Sequence, residues 1–207
     1  MTETDVLNTL KKWAEARLCS IELKEPDDNA AGNGYKYKLV QPKVFCLFVP
    51  TPEKMQPDDK AVPALCILLN PPEKKNGIAT AAVQLRLSTW DPGNHAGDYL
   101  TGKGYLQAGD VKKQIFDGDE DEKKFKYDAE GWRGLYSWID KITAEIKKNP
   151  IICEKIRIKT EESVRAGAYG MDGNGQVLDF YPYFHGLIDF SIEYGYNTGS
   201  REIDNLL

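Results

Sequence analysis

The sequence predicts an α+β fold, with an antiparallel or mixed β-sheet and two main amphipathic helices packed on one face. Two stretches, near residues 4–18 and 130–148, carry apolar residues at three- and four-residue steps, which is the period of a helix with one buried side. Other stretches alternate apolar and polar residues, as half-buried strands do. The order of helix, strands, helix and further strands favours one sheet with helices on one side.

The first helix is predicted over residues 4–18, and the second from Glu130 to Lys148. Thr2 and Asp5 have the spacing of a capping box, with Asp in place of the usual Glu, and Asp128 is the candidate cap of the second helix. The apolar stripes of the two helices are Val6, Leu7, Leu10, Trp13, Ala14 and Leu18, and Leu135, Trp138, Ile139, Ile142 and Ile146.

The strands are bounded by turn-forming residues. Asn76-Gly77 is typical of a tight hairpin turn, and it predicts that the strand after it pairs antiparallel with the strand before it. Pro42 lacks a backbone donor, so it predicts a sheet edge, a bend or a bulge. Loops are predicted at 25–34, 50–63 and 169–175. The predicted strands are 35–40, 43–49, 64–69, 83–88, 155–161 and 186–195.

The length of 207 residues is within the range of one domain. We therefore predict a single domain, 1–207, with an extended loop insertion at about 93–128, a stretch rich in glycine and charge. The net charge of −5 argues against a protein whose main task is to hold nucleic acid, because phosphate affinity comes from clustered Lys and Arg. No apolar run approaches the roughly 20 residues of a membrane span, and the N-terminus lacks a signal-peptide layout.

Four cysteines lie far apart, each beside apolar residues, and no CxxC pair occurs. This pattern predicts four buried, reduced thiols in a cytosolic protein. The cysteines are Cys19, Cys46, Cys66 and Cys153.

No cofactor or catalytic motif is recognisable. His95 and His185 have neither a partner histidine at helical spacing nor a nucleophile elbow, so both are predicted to be structural or surface residues. Gly102-Lys103-Gly104 does not fit a phosphate-binding loop. An enzyme of unfamiliar type stays open as an alternative, with carboxylates such as Asp91, Asp98 and Asp189 meeting in a pocket.

One acidic run imitates part of a calcium loop. Glu122 stands where the loop requires glycine, and Asp128 stands where it requires glutamate, so a solvated acidic loop is the better interpretation. The three imitated ligand positions are Asp117, Asp119 and Asp121.

Several aromatic residues fall near strand ends, with acidic neighbours around 181–196. Base stacking would need basic neighbours, so these aromatics predict core packing or protein–protein contact. They are Tyr35, Tyr37, Tyr181, Tyr183, Phe184, Tyr194 and Tyr196.

With this layout, the chain resembles the tail terminator (tail completion) proteins of long-tailed bacteriophages and phage-tail-like bacteriocins. The resemblance covers most of the chain and rests on the helix 4–18, the proline-bounded strand 43–49 and the helix 131–148. It also rests on a strand that ends in an Asp-Pro step, Val83–Pro92, and on the final alternating strand, His185–Glu193. The stretch 93–128 departs from the shorter connection that the family would lead us to expect.

The resemblance implies a structural role without catalysis, cofactor or metal. Such subunits form a homo-oligomeric, hexameric ring that caps the tail tube, stops its polymerisation and faces the head–tail connector or neck proteins. Sheath proteins are a further expected partner, DNA only passes through the ring, and no membrane is involved. The expected location is the host bacterial cytoplasm during assembly and the tail of the mature particle. Another neck, head-completion, tube or sheath-associated subunit is the alternative.

The charged stretch is the candidate protein interface. It has no evident role in a single core, and loops of this kind can become ordered on assembly. We therefore predict that residues 110–127 lie at an inter-subunit or inter-protein contact. The interface residues are Asp117, Asp119, Asp121, Glu122, Lys123, Phe125 and Tyr127.

Overall fold

The computed structural model describes residues 1–26, 37–51, 54–55, 60–95, 125–127, 130–169 and 180–196. The helical elements are α1 (Glu3–Trp13), a π-helical turn (Ala14–Leu18) and α2 (Trp132–Lys148). The strands are β1 (Leu23–Pro26), β2 (Tyr37–Val40), β3 (Lys43–Cys46), β4 (Ala64–Leu69), β5 (Glu73–Lys75), β6 (Ile78–Trp90), β7 (Gly93–His95), β8 (Phe125–Tyr127), β9 (Ile151–Ile152), β10 (Ile156–Ile158), β11 (Arg165–Tyr169) and β12 (Tyr183–Gly195).

The main sheet is mixed, and the predicted α+β fold is confirmed. Its strand order is β3-β4-β6-β12-β10-β9, with β5 beside β6 and β11 beside β12. Only β3 and β4 pair in parallel; the other pairs in this sheet are antiparallel. The long strands β6 and β12 pair along their whole length, from Ile78 opposite Gly195 to Trp90 opposite Tyr183. Two small ribbons, β1-β2 and β7-β8, stand apart from this sheet.

Both helices pack against the same face of the main sheet. Alternate residues of β6 and β12, such as Leu85 and Ile188, join the apolar stripes of α1 and α2 in one buried cluster. The indole nitrogen of Trp138 in α2 donates to the Leu18 carbonyl oxygen at 2.8 Å, which satisfies its only polar group inside this cluster. The core therefore lies between the helices and one side of the sheet.

The first helix begins as predicted. The Asp5 amide donates to the Thr2 hydroxyl oxygen at 3.2 Å, and the Thr2 amide donates to the Asp5 carboxylate at 2.9 Å. These two bonds are the reciprocal pair of a capping box. Helical structure continues to Leu18, where the predicted stripe also ends.

The predicted cap of the second helix is wrong. The N-cap is Gly131, and no side chain caps it; Asp128 lies outside the described residues. A Cβ atom on Gly131 would lie within 2.4 Å of the Phe184 ring and 2.7 Å of the Asp91 Cβ. Close packing against the sheet, which sequence periodicity does not record, therefore sets the start of this helix.

The predicted hairpin is confirmed, because β4 and β5 both pair antiparallel with β6. Asn76 and Gly77 lie between Lys75 and Ile78, which face each other, and have φ values of +52° and +80°. A type I′ hairpin turn of two residues requires a positive φ at both of them. Pro42 precedes β3, and β3 lies at one edge of the described sheet. A sheet edge was one of the three features that Pro42 predicted.

Other strand predictions are wrong in their bounds. Residues 25 and 26 of the predicted loop 25–34 belong to β1, where Glu25 pairs with Lys38. The strand predicted at 43–49 ends at Cys46, the one at 155–161 covers only 156–158, and β12 starts three residues before Gly186. Six short strands were not predicted, because strands of two to five residues carry too little apolar alternation to be recognised. They are β1, β5, β7, β8, β9 and β11.

The prediction of four buried thiols is wrong for two of them, although all four cysteines are free. Cys19 and Cys66 are buried, Cys46 is half-buried and Cys153 is exposed. Cys153 lies in the short loop between β9 and β10, with a φ of +49°. Its neighbour Ile152 enters the core, whereas Cys153 does not. Burial raises the pKa of the Cys19 thiol to about 12.

Candidate functional site

The face of the main sheet that turns away from the helices is called the open face. It carries the residues of β6 and β12 that alternate with the buried ones: Gln84, Arg86 and Ser88, opposite Asp189, Leu187 and His185. These side chains are exposed or half-buried, whereas their neighbours Leu85, Leu87, Ile188 and Phe190 are buried. No helix in the described part of the chain packs on this face.

A cavity of about 360 Å³ lies on the open face. Its polar wall is formed by Arg86, Ser88 and His185, and its apolar wall by Tyr169, Phe180 and Leu187. Tyr169 is 54% exposed and Phe180 is 37% exposed. The cavity therefore brings a cation and aromatic rings together at a surface that solvent can reach.

A hydrogen-bonded row of three side chains crosses the cavity edge. The Arg86 Nε donates to the Gln84 Oε1 at 2.7 Å, and the Gln84 Nε2 donates to the Asp189 Oδ1 at 3.1 Å. Gln84 thus stands between the guanidinium and the carboxylate. Among the described residues, no salt bridge neutralises Arg86 directly.

His185 lies within this site. Its Nδ1 is 3.0 Å from the Ser88 hydroxyl oxygen, and the Phe180 ring meets the imidazole edge-on at 5.1 Å between centroids. Burial lowers the pKa of His185 below its ordinary value, because a buried site disfavours the charged imidazolium. The sequence predicted a structural or surface role for His185 but not its contact with Ser88, because the two residues are far apart in sequence.

The Ser88–His185 pair has two of the three parts of a nucleophilic triad. A third group would have to orient the other ring nitrogen of the histidine. Among the described residues, Ser88 is the only hydrogen-bond partner of this ring, and Asp189 is engaged by Gln84. In the part of the chain that the structure describes, the pair therefore lacks the third group that would orient the imidazole.

The structure does not bring together the carboxylates of the enzyme alternative. Asp189 lies opposite Gln84 on the open face, whereas Asp91 follows the end of β6 and pairs with Lys24. Seven residues of extended chain separate Gln84 from Asp91, which is about 20 Å. Asp98 lies outside the described residues.

Most of the predicted interface residues lie outside the described part of the chain: Asp117, Asp119, Asp121, Glu122 and Lys123. Phe125 and Tyr127 belong to β8, where they stand opposite His95 and Gly93. The short ribbon β7-β8 therefore joins the two ends of the segment 96–124. The contact predicted for 110–127 stays a prediction.

A buried ion pair holds the base of this ribbon. The Lys24 Nζ lies 2.6 Å from the Asp91 Oδ1 and donates to the Gly93 carbonyl oxygen at 2.6 Å. Lys24 is only 7% exposed and also faces the Tyr37 ring at 5.0 Å. Sequence reasoning missed Lys24, because Asp91 and Gly93 lie 67 and 69 residues away in sequence. The only local signal was a lysine next to the apolar Leu23.

The aromatic residues near strand ends divide between two environments. Tyr37 and Tyr194 are buried, whereas Tyr181 and Tyr183 are exposed at the start of β12. The hydroxyl of Tyr181 donates to the Pro92 carbonyl oxygen, just before β7. Core packing is therefore confirmed for Tyr37 and Tyr194, while protein–protein contact stays a prediction for Tyr181 and Tyr183. Tyr35 lies outside the described residues.

Comparisons with known proteins found no matching family model, no matching curated protein and no matching solved structure. Within the described residues, no group of three or more His, Cys, Asp or Glu side chains could hold a metal ion. No helix in that part of the chain is long and apolar enough to cross a bilayer.

Proposed function

We propose that this chain is a structural subunit of a phage tail or phage-tail-like bacteriocin, acting as a tail terminator. Copies of it form a ring, expected to be a hexamer, that caps the tail tube and stops its polymerisation. The same ring joins the tail to the connector or neck proteins, and sheath proteins can contact it. The protein works in the host cytoplasm during assembly and in the tail of the mature particle. No catalysis and no cofactor belong to this role.

The observation that carries the proposal is the anchored insertion. The ribbon β7-β8 holds both ends of the segment 96–124, and the ion pair of Lys24 with Asp91 ties that ribbon to the body of the domain. Burying a lysine is costly unless it is paired, so this anchor is a specific feature of the fold. A contact role for the segment supplies a reason to fix its two ends.

Two separate apolar surfaces also favour a ring. Leu47 and Phe48 are exposed just after the edge strand β3, and Leu47 has a φ of +70°, which is unusual for a bulky residue. Tyr181 and Tyr183 are exposed at the start of β12, three strands further into the sheet. A head-to-tail ring needs two different surfaces on each subunit.

The test is the state of assembly, measured with and without tail tubes. Light scattering and negative-stain images are expected to give a ring of defined stoichiometry, at least when tubes are present. Monomers under both conditions would contradict the proposal. The position of the ring in the images also separates a terminator, at the head end of the tail, from a subunit found along its length.

A deletion tests the role of the insertion. Residues 110–124 are replaced by a short Gly-Ser linker, which leaves β7 and β8 in place. We expect tails of uncontrolled length or tails that fail to join heads. Normal tails made with this variant would show that the segment is dispensable, and the matched control is the anchor variant Lys24→Arg, which keeps the charge.

A further inference from the structure

We propose that the cavity on the open face is a binding site for a carboxylate that is carried next to an aromatic or aliphatic group. This ligand class follows from the cation, the hydrogen-bond donors and the apolar wall that meet there. The inference goes beyond the assembly role and does not depend on ring formation. It assigns a use to Arg86, Ser88 and His185, which the proposed function leaves without one.

Arg86 supplies the charge. Because its Nε is already engaged by Gln84, the two terminal guanidinium nitrogens are the ones left to donate. A guanidinium binds a carboxylate through two parallel hydrogen bonds, a geometry that lysine cannot offer. Gln84 also donates to the Asp189 carboxylate. The arrangement therefore orients the cation without neutralising it.

The Ser88–His185 pair supplies a further donor in either tautomer. If the His185 Nδ1 carries the proton and donates to Ser88, the serine hydroxyl is left to donate elsewhere. If instead the serine donates to Nδ1, the Nε2 of the neutral ring carries a proton that it can donate. In each case the pair, joined at 3.0 Å, has one N–H or O–H to offer an acceptor.

The apolar wall of the cavity favours a ligand with an apolar group next to its carboxylate. Tyr169 and Phe180 are large rings that remain partly exposed, and Leu187 lies beside them. Covering such rings with an apolar group stabilises a complex by about 25 cal/mol per Å² removed from water. The volume of about 360 Å³ is at the small end of the range for small-molecule sites. A ring or short aliphatic group next to the carboxylate fits it.

The same chemistry has two sources, a free small carboxylic acid or an acidic side chain beside an apolar one in another protein. Calorimetric titrations with four probes separate them. The free acid is phenylacetate, and phenylacetamide is its neutral isostere. The chain-borne form is the blocked peptide acetyl-Ala-Phe-Glu-Ala-amide, and the same peptide with Gln in place of Glu is its neutral form.

We expect each anionic probe to bind at least about tenfold more tightly than its neutral form, because the charged hydrogen bonds to Arg86 are lost in the neutral form. Arg86→Gln is expected to remove that preference, and Ser88→Ala to weaken anion binding by a smaller factor. The control is Arg157→Gln, an exposed arginine of β10 that pairs with Glu161. Thermal melts check that each variant folds. If Arg86→Gln does not fold, the loss of anion binding in Ser88→Ala still tests the proposal.

Equal binding of the anionic and neutral probes would overturn the proposal. So would a complete lack of binding by both anions, or an Arg157→Gln effect as large as that of Arg86→Gln. If the selectivity appears, tighter binding of the peptide assigns the site to a partner chain, and tighter binding of phenylacetate assigns it to a free acid. None of these outcomes depends on whether the chain forms a ring.

Discussion

The two faces of the main sheet are built from the same strands but have different compositions. On β6, Leu85 is buried beneath the helices, while the next residue, Arg86, is exposed on the open face. The helix-covered face is apolar along β6 and β12 and belongs to one cluster. The open face carries a row of polar side chains and a cavity with aromatic walls.

This difference separates stability from recognition. Burial of an apolar side chain contributes about 1.5–3 kcal/mol, so the covered face provides most of the free energy of folding. The open face contributes less and is therefore free to carry groups that serve binding.

The largest effect is expected from Leu85→Ala on the covered face. Leu85 is 1% exposed, so its loss leaves a cavity and should lower the free energy of unfolding by about 2–5 kcal/mol. Ser191→Ala, on the open side of β12, is the control and should change it by less than about 0.5 kcal/mol. Urea denaturation measures both, and similar losses for the two variants would remove the distinction between the faces.

The loss of a lysine charge should lower protein stability more at a buried ion pair than at an exposed one. Lys24→Met removes the 2.6 Å ion pair with the partly buried Asp91 and should destabilise the protein by about 2–4 kcal/mol. Lys11→Met removes an exposed ion pair with Glu15, of 3.9 Å, and should lower stability by less than about 1 kcal/mol. The two midpoints in urea give the comparison. An effect of Lys24→Met as small as that of Lys11→Met would mean that the ribbon base is not anchored as described.

A glycine-to-alanine substitution adds one methyl group, at Gly186 on the covered face or at Gly167 on the open face. A Cβ on Gly186 would meet the Ile139 and Leu135 side chains at 3.0 Å, whereas a Cβ on Gly167 would meet nothing within 4 Å. Gly186→Ala should therefore destabilise by about 1–3 kcal/mol through overpacking. Gly167→Ala should stabilise β11 by about 0.5 kcal/mol, because alanine has less backbone freedom to lose. Thermal melts that showed the opposite signs would reverse the assignment of the faces.

The smallest effect is a pH dependence that arises from the open face. Burial lowers the pKa of His185 in the folded state, so the unfolded chain binds the proton more readily. The resulting stability is present above the unfolded pKa and is lost as the pH falls through the folded pKa. Urea midpoints measured from pH 7 down to pH 5 should fall more for the wild type than for His185→Gln. Parallel curves would show that His185 does not contribute to the loss.

Much of the fold could be predicted from local patterns. The stripe from Val6 to Leu18 set the first helix, the alternation around Val83 set the orientation of β6, and Asn76-Gly77 set the hairpin. Each of these signals lies within a few residues of the structure it determines. Strands such as β11, with the sequence Arg-Ala-Gly-Ala-Tyr, have no such signal, because pairing with β12 and not burial defines them.

The candidate site could not be predicted in the same way. Ser88 and His185 are almost a hundred residues apart in sequence, and each appears locally as an ordinary polar residue of a half-buried strand. The anchor of Lys24 and Asp91 is hidden for the same reason. Such sites appear only when strand pairing fixes which residues face each other across the sheet.

The sequence by itself determined the fold class, the two helices, the orientation of the longest strands and the acidic charge. These features follow from the period of apolar residues and from turn chemistry, both of which act over short stretches of chain. The tertiary structure decided the glycine at the N-cap of α2, the ribbon at the base of the segment 96–124 and the cavity beside Arg86. All three depend on contacts between distant residues, and no local pattern encodes them.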